Sequence, residues 1–314
     1  MGLYLGIDTS NYTTSAAFFD SGSGKVYSSR RLLPVKPGEK GLRQSDAVFH
    51  HTAALPERIQ ELCEQYPGSI ALSAVAASDR PEDREGSYMP CFTVGTSFVK
   101  SLSQLEGIPL YFHSHQHGHI AAALYSADRM DILTDSFIAF HVSGGTTEAV
   151  LCEPDPQRIF TCKPLLKTSD LKAGQAIDRV GVMLGLPFPA GKALDRLSLE
   201  SKEVFMPKIS SKDGCPSLSG IENQCEKRYR DGAKPCDVAR FCLDSIGAAL
   251  RIMVDAVRKE RPNCPVVFSG GVMSNTILRE HMSSYIGTVF SSTEFSSDNA
   301  VGTALLAAIK DAMC

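Results

Sequence analysis

The chain has 314 residues, of which 43% are hydrophobic and 21% charged, and its formal net charge is −3. This composition is typical of a globular protein with a large core, and a usual domain size of about 100–200 residues predicts two domains. No apolar run approaches the roughly 20 residues of a membrane span, and no overall basic footprint of a nucleic-acid-binding protein is visible. The first residues, MGLYLGIDTS, predict a strand and no signal peptide, and the 10 cysteines form no CxxC pair, so we expect a cytoplasmic protein with free thiols.

Strand-like and helix-like segments alternate along the chain, which predicts an α/β fold. Short apolar runs predict strands at 3–8, 15–20, 69–78, 136–145, 147–153 and 264–271. Apolar residues at helical spacing predict helices at 50–65, 92–107, 119–130, 176–185, 237–260 and 299–313. The first two strands, and likewise the fourth and fifth, are expected to pair as hairpins.

The turns of the two predicted hairpins share a sequence pattern. SNYTTSAAF (10–18) and SGGTTEAVL (143–151) both read S-x-x-T-T-x-A followed by two apolar positions. Turns rich in Gly, Ser and Thr expose N–H groups and hydroxyls that can bind phosphate oxygens. A third segment, VVFSGGVMSN (266–275), puts two glycines between a buried strand and a helix, where a flat ligand can approach the backbone. The shared pattern is consistent with a duplication, and the alternative is two ordinary turns that match by chance. Three such loops nevertheless favour nucleotide binding.

Half of the 8 histidines lie in the stretch HSHQHGH, at positions 113, 115, 117 and 119. Residues four apart share a helix face, so there are two candidate pairs, His113 with His117 and His115 with His119. Two imidazoles on one face are the usual half of a transition-metal site. The alternative is a polar loop whose histidines face solvent. A third ligand from a distant segment would favour the metal site over the polar loop.

Together these segments resemble the TsaD family (Gcp, YgjD or Kae-type, formerly called O-sialoglycoprotein endopeptidase). The resemblance covers most of the chain and rests on LGIDTSNYTTSAA, IPLYFHSHQHGHIAA, VSGGTT, DLKAGQAIDRVGVMLGLPFPAGKALDRL, VVFSGGVMSNTILRE and SSDNAVGTALLA. It implies a two-lobed actin-like ATPase fold (the ASKHA fold of actin, sugar kinases and heat-shock chaperones) with duplicated ribonuclease H-like lobes. The first lobe is then residues 1–125 plus 296–314, and the second is residues 126–295.

The resemblance also implies a metal site. By the family's NHxxGH and DNA motifs, one divalent ion, iron or zinc, is held by His115, His119 and Asp298. Asp298 is thus the expected distant ligand. His113 and His117 are then either neighbours that support these ligands or simply exposed residues.

The nucleotide contacts implied by the resemblance, to ATP or an adenylate, lie on loops of the second lobe. They correspond to Val142, Ser143, Gly144, Gly145, Thr146, Asp178, Gly191, Asp195, Gly270, Gly271 and Asn275. Asp178 is expected to accept hydrogen bonds from the ribose, with a helix-surface charge as the alternative. The turn of the first lobe is expected to form a further phosphate turn from Ser10, Asn11, Thr13 and Thr14.

The chain departs from the family motifs around the reactive centre. The family's CDET is NYTT here (11–14), so two acidic residues are absent, and TAGPGL is replaced by the acidic SDRPEDREGSYMP (78–90). Thr146, Gln175, Ala190 and Glu222 stand where the family has His, Glu, Gly and Lys. The fold and the nucleotide cleft are expected to survive these changes, but no catalytic residue is assigned.

Three functions are consistent with these patterns. The first is metal-dependent transfer of a threonylcarbamoyl group from threonylcarbamoyl-AMP to N6 of the adenosine beside the anticodon in tRNA, or a related carbamoyl transfer by a divergent paralogue. Because the chain is acidic, we expect tRNA binding to need partner proteins of the TsaB or TsaE type. The second is a non-catalytic nucleotide-binding partner of the same fold. The third is a metalloprotease, which HxxxH disfavours because it lacks the glutamate of HExxH.

Overall fold

The computed structural model describes residues 1–10, 12–34, 42–295 and 300–314. Its strands are β1 (Leu3–Asp8), β2 (Thr13–Asp20), β3 (Lys25–Leu32), β4 (Leu72–Arg80), β5 (Leu110–Ser114), β6 (Phe137–Val142), β7 (Thr147–Asp155), β8 (Ile159–Lys167), β9 (Ser211–Lys212), β10 (Cys215–Pro216), β11 (Val266–Ser269) and β12 (Thr288–Phe290). Its helices are α1 (Gln44–Gln65), α2 (Phe92–Glu106), α3 (His115–Ser126), α4 (Ala173–Met183), α5 (Gly191–Ser198), α6 (Ser219–Arg230), α7 (Pro235–Glu260), α8 (Thr276–Ser283) and α9 (Val301–Met313). Short 3-10 turns span Met130–Thr134 and Gly271–Ser274.

Two five-stranded sheets within the described residues have the same topology. Their strand orders are β3-β2-β1-β4-β5 and β8-β7-β6-β11-β12. In each sheet the central strand pairs antiparallel with the next strand in sequence and parallel with a later one, which itself pairs parallel with the edge strand. This repeated α/β arrangement confirms the expected duplication and the actin-like fold.

The chain divides into two compact units. The first contains Met1–Thr134, Glu153–Cys162 and Ser297–Cys314, and the second contains Asp135–Cys152 and Lys163–Ser296. These limits differ from the predicted lobes mainly because the tip of the β7–β8 hairpin groups with the first unit. The predicted lobe boundaries remain a prediction about the family fold.

The core of the first unit lies on both faces of its sheet. On one face, Leu5 and Ile7 of β1 pack with Leu55 of α1 and Val99 of α2. On the other, Tyr4 and the alanines of β4 pack against α9. Because successive strand residues point to opposite faces, a strand covered on both sides has a continuous apolar sequence, as LYLGI does.

The core of the second unit lies between its sheet and the helices α4 and α7. Phe140 and Phe268 pack with Ile177 and with the buried stripe of α7, which includes Phe241 and Ile246. Pro235 occupies the first position of α7, where its missing N–H costs nothing. These contacts fix the ends of β6 and β11, from which the two glycine-rich loops begin.

The predicted elements are present with shifted ends, and several elements escaped prediction. The helix predicted at 119–130 begins four residues earlier, at His115, because Ser114 caps it by accepting from His117 N. The helix predicted at 50–65 begins at Gln44. The exposed edge strand β3 and the short helices α5, α6 and α8 carry no apolar run long enough to reveal them. In the part of the chain that is described, no helix is long and apolar enough to cross a membrane.

Candidate functional site

The turn between β6 and β7 forms a compact loop at residues 142–146. Ser143 N donates to Thr146 O at 2.7 Å, and Ser143 Oγ accepts from Gly145 N and Thr146 N at 3.3 and 3.1 Å. A Cβ at Gly144 or Gly145 would meet no atom within 4 Å, so one side of the loop is open. This open side lets a ligand approach the backbone of the two glycines, while Ser143 Oγ holds the N–H groups of Gly145 and Thr146.

The N-terminus of α4 lies directly against this loop. Gly174 N donates to Ser143 O at 3.2 Å, and a Cβ at Gly174 would stand 2.7 Å from Gly144 Cα. Glycine at position 174 therefore allows the helix end to approach the loop. The positive end of the helix dipole favours negative charge at this point.

The glycine pair after β11 forms the second loop. Gly270 has φ +94°, and a Cβ there would lie 2.3 Å from Val142 O, whereas Gly271 has open space around it. Asn275 begins α8 as its N-cap, where its Oδ1 accepts from Leu278 N at 3.1 Å. Among the described residues, the buried Nδ2 of Asn275 has no hydrogen-bond partner. An unsatisfied buried donor of this kind fits a ligand acceptor.

The two predicted nucleotide-binding carboxylates are each fixed by backbone amides. Asp178 Oδ1 accepts from Ala190 N at 2.8 Å, which holds the loop before α5 against α4. Asp195 accepts from Thr276 N at 3.2 Å and from Thr276 Oγ1 at 3.1 Å. Asp195 therefore joins α5 to the start of α8.

These loops and carboxylates surround one cavity of about 720 Å³ in the second unit. Among the predicted residues, its lining contains Ser143, Gly144, Asp178, Gly191, Asp195, Gly271 and Asn275. Val142, Gly145, Thr146 and Gly270 do not line it but belong to the same two loops. The volume lies in the usual range of about 300–1,000 Å³ for small-molecule sites.

Sequence reasoning missed other residues that line this cavity. They are Gly174, Ile177, Pro189, Lys192, Val272, Ser274, Thr293 and Glu294. Most are neighbours in sequence of predicted residues, and the spacing of α4 and α5 could have revealed Gly174 and Lys192. No local pattern marks Thr293 or Glu294, because a long-range fold contact brings them there.

The corresponding turn in the first unit is more enclosed. Ser10, Thr13 and Thr14 are buried, and Asn11 lies outside the described residues. Thr14 Oγ1 bonds to Nδ1 of the buried His51 at 2.8 Å, and burial lowers the pKa of His51 to about 4. The Thr14 hydroxyl therefore serves the interior of the unit, whereas the buried Ser10 Oγ has no hydrogen-bond partner among the described residues. The phosphate role of this turn remains a prediction.

His115 and His119 meet on the first turn of α3. Their Nε2 atoms lie 2.9 Å apart, and His115 Nδ1 lies 2.5 Å from Asp8 Oδ2. Asp8 ends β1 with its side chain 2% exposed, and its other oxygen accepts from Ser10 N at 2.8 Å. Since a carboxylate only accepts, Nδ1–H of His115 donates to Asp8, which leaves the Nε2 lone pair toward His119. Asp8 is a site residue that the sequence did not reveal.

The remaining ligand and the remaining histidines have different outcomes. Asp298, the expected third metal ligand, lies outside the described residues. Among the described residues, no group of three or more His, Cys, Asp or Glu is placed to hold a metal ion. His113 and His117 are buried, so the alternative that they are exposed is wrong.

Comparison with protein families matches a stretch of the chain that contains most of these site residues. The family model TsaD, tRNA N6-adenosine threonylcarbamoyltransferase, matches residues 35–305. The chain belongs to the TsaD family. Its relatives include enzymes of that name from Salinibacter ruber, 31% identical over 89% of this chain and 84% of theirs, and from Thermosipho africanus, 29% identical over 96% and 92%. TsaD is thus the family of acyltransferases to which the chain is assigned.

Solved structures support the fold of this TsaD family member. Full-length HypF in its phosphate- and nucleotide-bound form has a TM-score of 0.59 at 15% identity, covering 99% of this chain and 46% of that one. A ROK family glucokinase from Streptomyces griseus, solved with glucose and AMPPNP, has a TM-score of 0.51 at 14% identity, covering 98% and 100%. At these identities the likeness establishes the ASKHA fold alone.

In this TsaD family member, the substitution Asp178→Asn is expected to reduce the affinity for ATP about 10–100-fold. Asparagine keeps an oxygen for Ala190 N but loses the charge, and a hydrogen bond to a charged group contributes about 1.5–3 kcal/mol. Calorimetry with a non-hydrolysable ATP analogue measures the change. Asp213→Asn, at an exposed turn of the same unit, is the control and should bind as the unmodified chain does. Equal affinities in both variants would mean that Asp178 only tethers its loop.

Proposed function

We propose that this chain transfers a threonylcarbamoyl group from threonylcarbamoyl-AMP to N6 of the adenosine beside the anticodon in tRNA. A divergent carbamoyl transfer within the same family is the nearest variant of this proposal. The observation that carries it is the pair of imidazole nitrogens, 2.9 Å apart, on α3 of a TsaD family member.

The donor set suits a divalent transition ion. Imidazole nitrogens suit iron and zinc, and metal-ligating histidines commonly donate their other N–H to a carboxylate, as His115 does to Asp8. We assign His115 and His119 as ligands, with Asp298 as the third. When bound, the ion supplies a Lewis acid that polarises a carbonyl or phosphoryl oxygen. Asp8 then holds His115 in the tautomer whose Nε2 lone pair is available.

The adenylate half of the donor is proposed to bind in the cavity of the second unit. The N-terminus of α4, which lies against the 142–146 loop, supplies a positive dipole for the phosphate, while Asp178 and Asp195 accept from the ribose. The unpartnered Nδ2 of Asn275 supplies a further donor. The rigid backbone tethers of both aspartates orient these groups before the ligand arrives.

A peptidase activity is not proposed for this chain. Between His115 and His119 stand Gln116, His117 and Gly118, so the position of a glutamate base is filled by Gln116, an amide that cannot take up a proton at neutral pH. His117 is engaged in structural hydrogen bonds to Ser114, the last residue of β5, and to β8. The helix therefore offers ligands but no general base.

Binding of tRNA is proposed to depend on partner proteins of the TsaB or TsaE type. The chain carries a net charge of −3, and binding to phosphates normally needs basic contacts that release counterions. The acidic loop that follows β4 repels RNA less than its sequence suggests, because the Asp83 side chain is buried in ion pairs and Glu82 pairs with Arg84. The remaining charge still favours a more basic partner.

A reconstituted reaction tests both parts of this proposal. We expect the purified chain alone to bind tRNA weakly and to form little N6-threonylcarbamoyladenosine from tRNA and threonylcarbamoyl-AMP. Adding the TsaB- and TsaE-type proteins of the same organism should restore product, together with tRNA binding that weakens steeply as salt rises. Nucleoside chromatography with mass detection, and filter binding at two salt concentrations, give the readouts.

Each alternative predicts a different result in this reaction. If no partner combination yields product while ATP still binds, the chain is a nucleotide-binding partner without catalysis. If a carbamoyl donor is consumed but tRNA is not modified, the divergent transfer is correct. Tight tRNA binding by the chain alone at physiological salt would remove the need for a partner.

A further inference from the structure

The loop between β4 and α2 meets the helix of the metal-binding histidines at its first turn. Gln116 N donates to Pro81 O at 3.0 Å, and Asp83 N donates to Gln116 Oε1 at 3.4 Å. The first N–H groups of a helix have no acceptor within the helix, and Pro81 O is the acceptor for one of them here. Ser114 Oγ supplies another by accepting from His117 N at 3.2 Å. The loop therefore acts as part of the cap of α3.

The carboxylate of Asp83 joins this loop to two other segments. Its side chain is 2% exposed; Oδ1 accepts from Arg80 Nη2 at 3.1 Å and from Arg158 Nη1 at 3.4 Å. Its Oδ2 accepts from Cys162 N, in β8, at 3.1 Å and lies 3.7 Å from His117 Nε2. A buried charge is tolerated only when it is paired and hydrogen-bonded in this way.

His117 ties α3 to the same strand. Its Nε2–H donates to Phe160 O at 2.7 Å, so its Nδ1 accepts from the Ser114 hydroxyl at 2.6 Å. This leaves His117 neutral, and burial lowers its pKa accordingly. The first turn of α3 is thus held from β8 by His117 and from the loop by Gln116, with Asp83 between them.

We propose that Asp83 is a positioning residue of the metal centre. It holds the loop and β8 against the first turn of α3, so that His115 Nε2 stays opposite His119 Nε2. His115 is the first residue of α3, where a helix frays most easily, whereas His119 lies one turn further in. Loss of the Asp83 charge therefore displaces His115 in particular. The inference rests on the metal site of the proposed function.

Affinity for Co²⁺, used as a spectroscopic substitute for the native ion, tests this role. Asp83→Asn keeps the size of the side chain but removes the counter-charge of Arg80 and Arg158. We expect Co²⁺ binding, measured by chelator competition, to weaken at least tenfold, since changes behind metal ligands typically cost about 10–100-fold. The visible absorption spectrum of bound Co²⁺ should change as well, because the ligand geometry changes.

Asp79→Asn is the matched control. Asp79 pairs with the same arginine, Arg80 Nη1 at 2.6 Å, and within the described residues it has no bond to α3 or β8. It should leave Co²⁺ affinity within about twofold of the unmodified chain, because it leaves the capping contacts of α3 in place. Gln116→Ala, which removes only the side-chain bond to Asp83 N, should weaken binding in the same direction and covers the case in which Asp83→Asn does not fold.

The proposal is overturned if folded Asp83→Asn binds Co²⁺ with unchanged affinity and spectrum. It is also overturned if Asp79→Asn weakens Co²⁺ binding as much as Asp83→Asn does. It is also overturned if the unmodified chain binds no Co²⁺. The assay needs neither tRNA nor partner, so its outcome is separate from that of the reconstituted reaction. A chain with Asp83-dependent Co²⁺ binding but no transfer supports the inference and contradicts the proposed function.

Discussion

Replacing His115 with alanine is expected to reduce the metal bound by the purified chain from about one ion to a trace. The change removes one of two convergent imidazoles and leaves the buried carboxylate of Asp8 without its histidine donor. Changes that only support a ligand cost about 10–100-fold in metal affinity, so loss of the ligand itself should exceed 100-fold. Elemental analysis gives the metal content, and chelator competition gives the affinity.

His50→Ala is the control for this change. His50 is a half-buried histidine of α1 whose ring contacts Phe49, and its loss should leave the metal content unchanged. Transferase activity, once reconstituted, should be lost in His115→Ala and retained in His50→Ala. A full complement of metal in His115→Ala would show that the ion is held elsewhere.

Gly270→Ala is expected to destabilise the second unit severely. At φ +94° an L-residue is strained by roughly 1–2 kcal/mol, and a Cβ 2.3 Å from Val142 O forces the two glycine-rich loops apart, which adds about 1–3 kcal/mol. The free energy of unfolding should therefore fall by about 2–5 kcal/mol, measured by urea denaturation. ATP affinity should fall with it, since both loops belong to the same cavity.

Gly271→Ala is the neighbouring control in the same chain. A Cβ at position 271 meets no atom within 4 Å, and its φ is not in the left-handed region, so unfolding should change by less than about 1 kcal/mol. The contrast between adjacent glycines separates the packing requirement from ligand contact. If Gly271→Ala keeps its stability but loses ATP, that side of the loop faces the ligand. Equal stability of the two variants contradicts the close approach of Gly270 to Val142.

The strongly periodic or fully apolar elements could be predicted from the sequence. The buried strands β1, β6 and β11 and the long helix α7 were predicted in place, because their burial requires continuous or helically spaced apolar residues. The exposed strand β3 carries no such pattern, and the apolar run of β5 is only three residues long, so sheet pairing makes both of them strands. The similar turns at 10–18 and 143–151 left the duplication open. The structure decides it, because both halves place the same antiparallel strand pair around the turn.

Part of the candidate site could likewise be predicted from the sequence, and part could not. Local spacing paired His115 with His119, because four residues span one helical turn, but it paired His113 with His117 equally well. The family motif was needed to choose between the two pairs. The glycine loops were likewise visible in sequence, since only glycine tolerates such close backbone approach. The burial of the histidines was not visible in the sequence. His113 and His117 could therefore be interpreted as exposed, although both lie in the interior.

Only the tertiary structure showed that Asp8 and Asp83 belong near the candidate site. Asp8 is 107 positions from His115 in sequence, yet β1 ends beside the start of α3, which brings this aspartate into contact with the proposed metal ligand. Asp83 belongs to an acidic stretch that in sequence resembles a solvated loop, but contacts from α3, β8 and two arginines bury its charge. Local sequence encodes the period and the turn chemistry of each element, whereas the desolvation and pairing of a charge depend on which distant segments the closed fold brings around it.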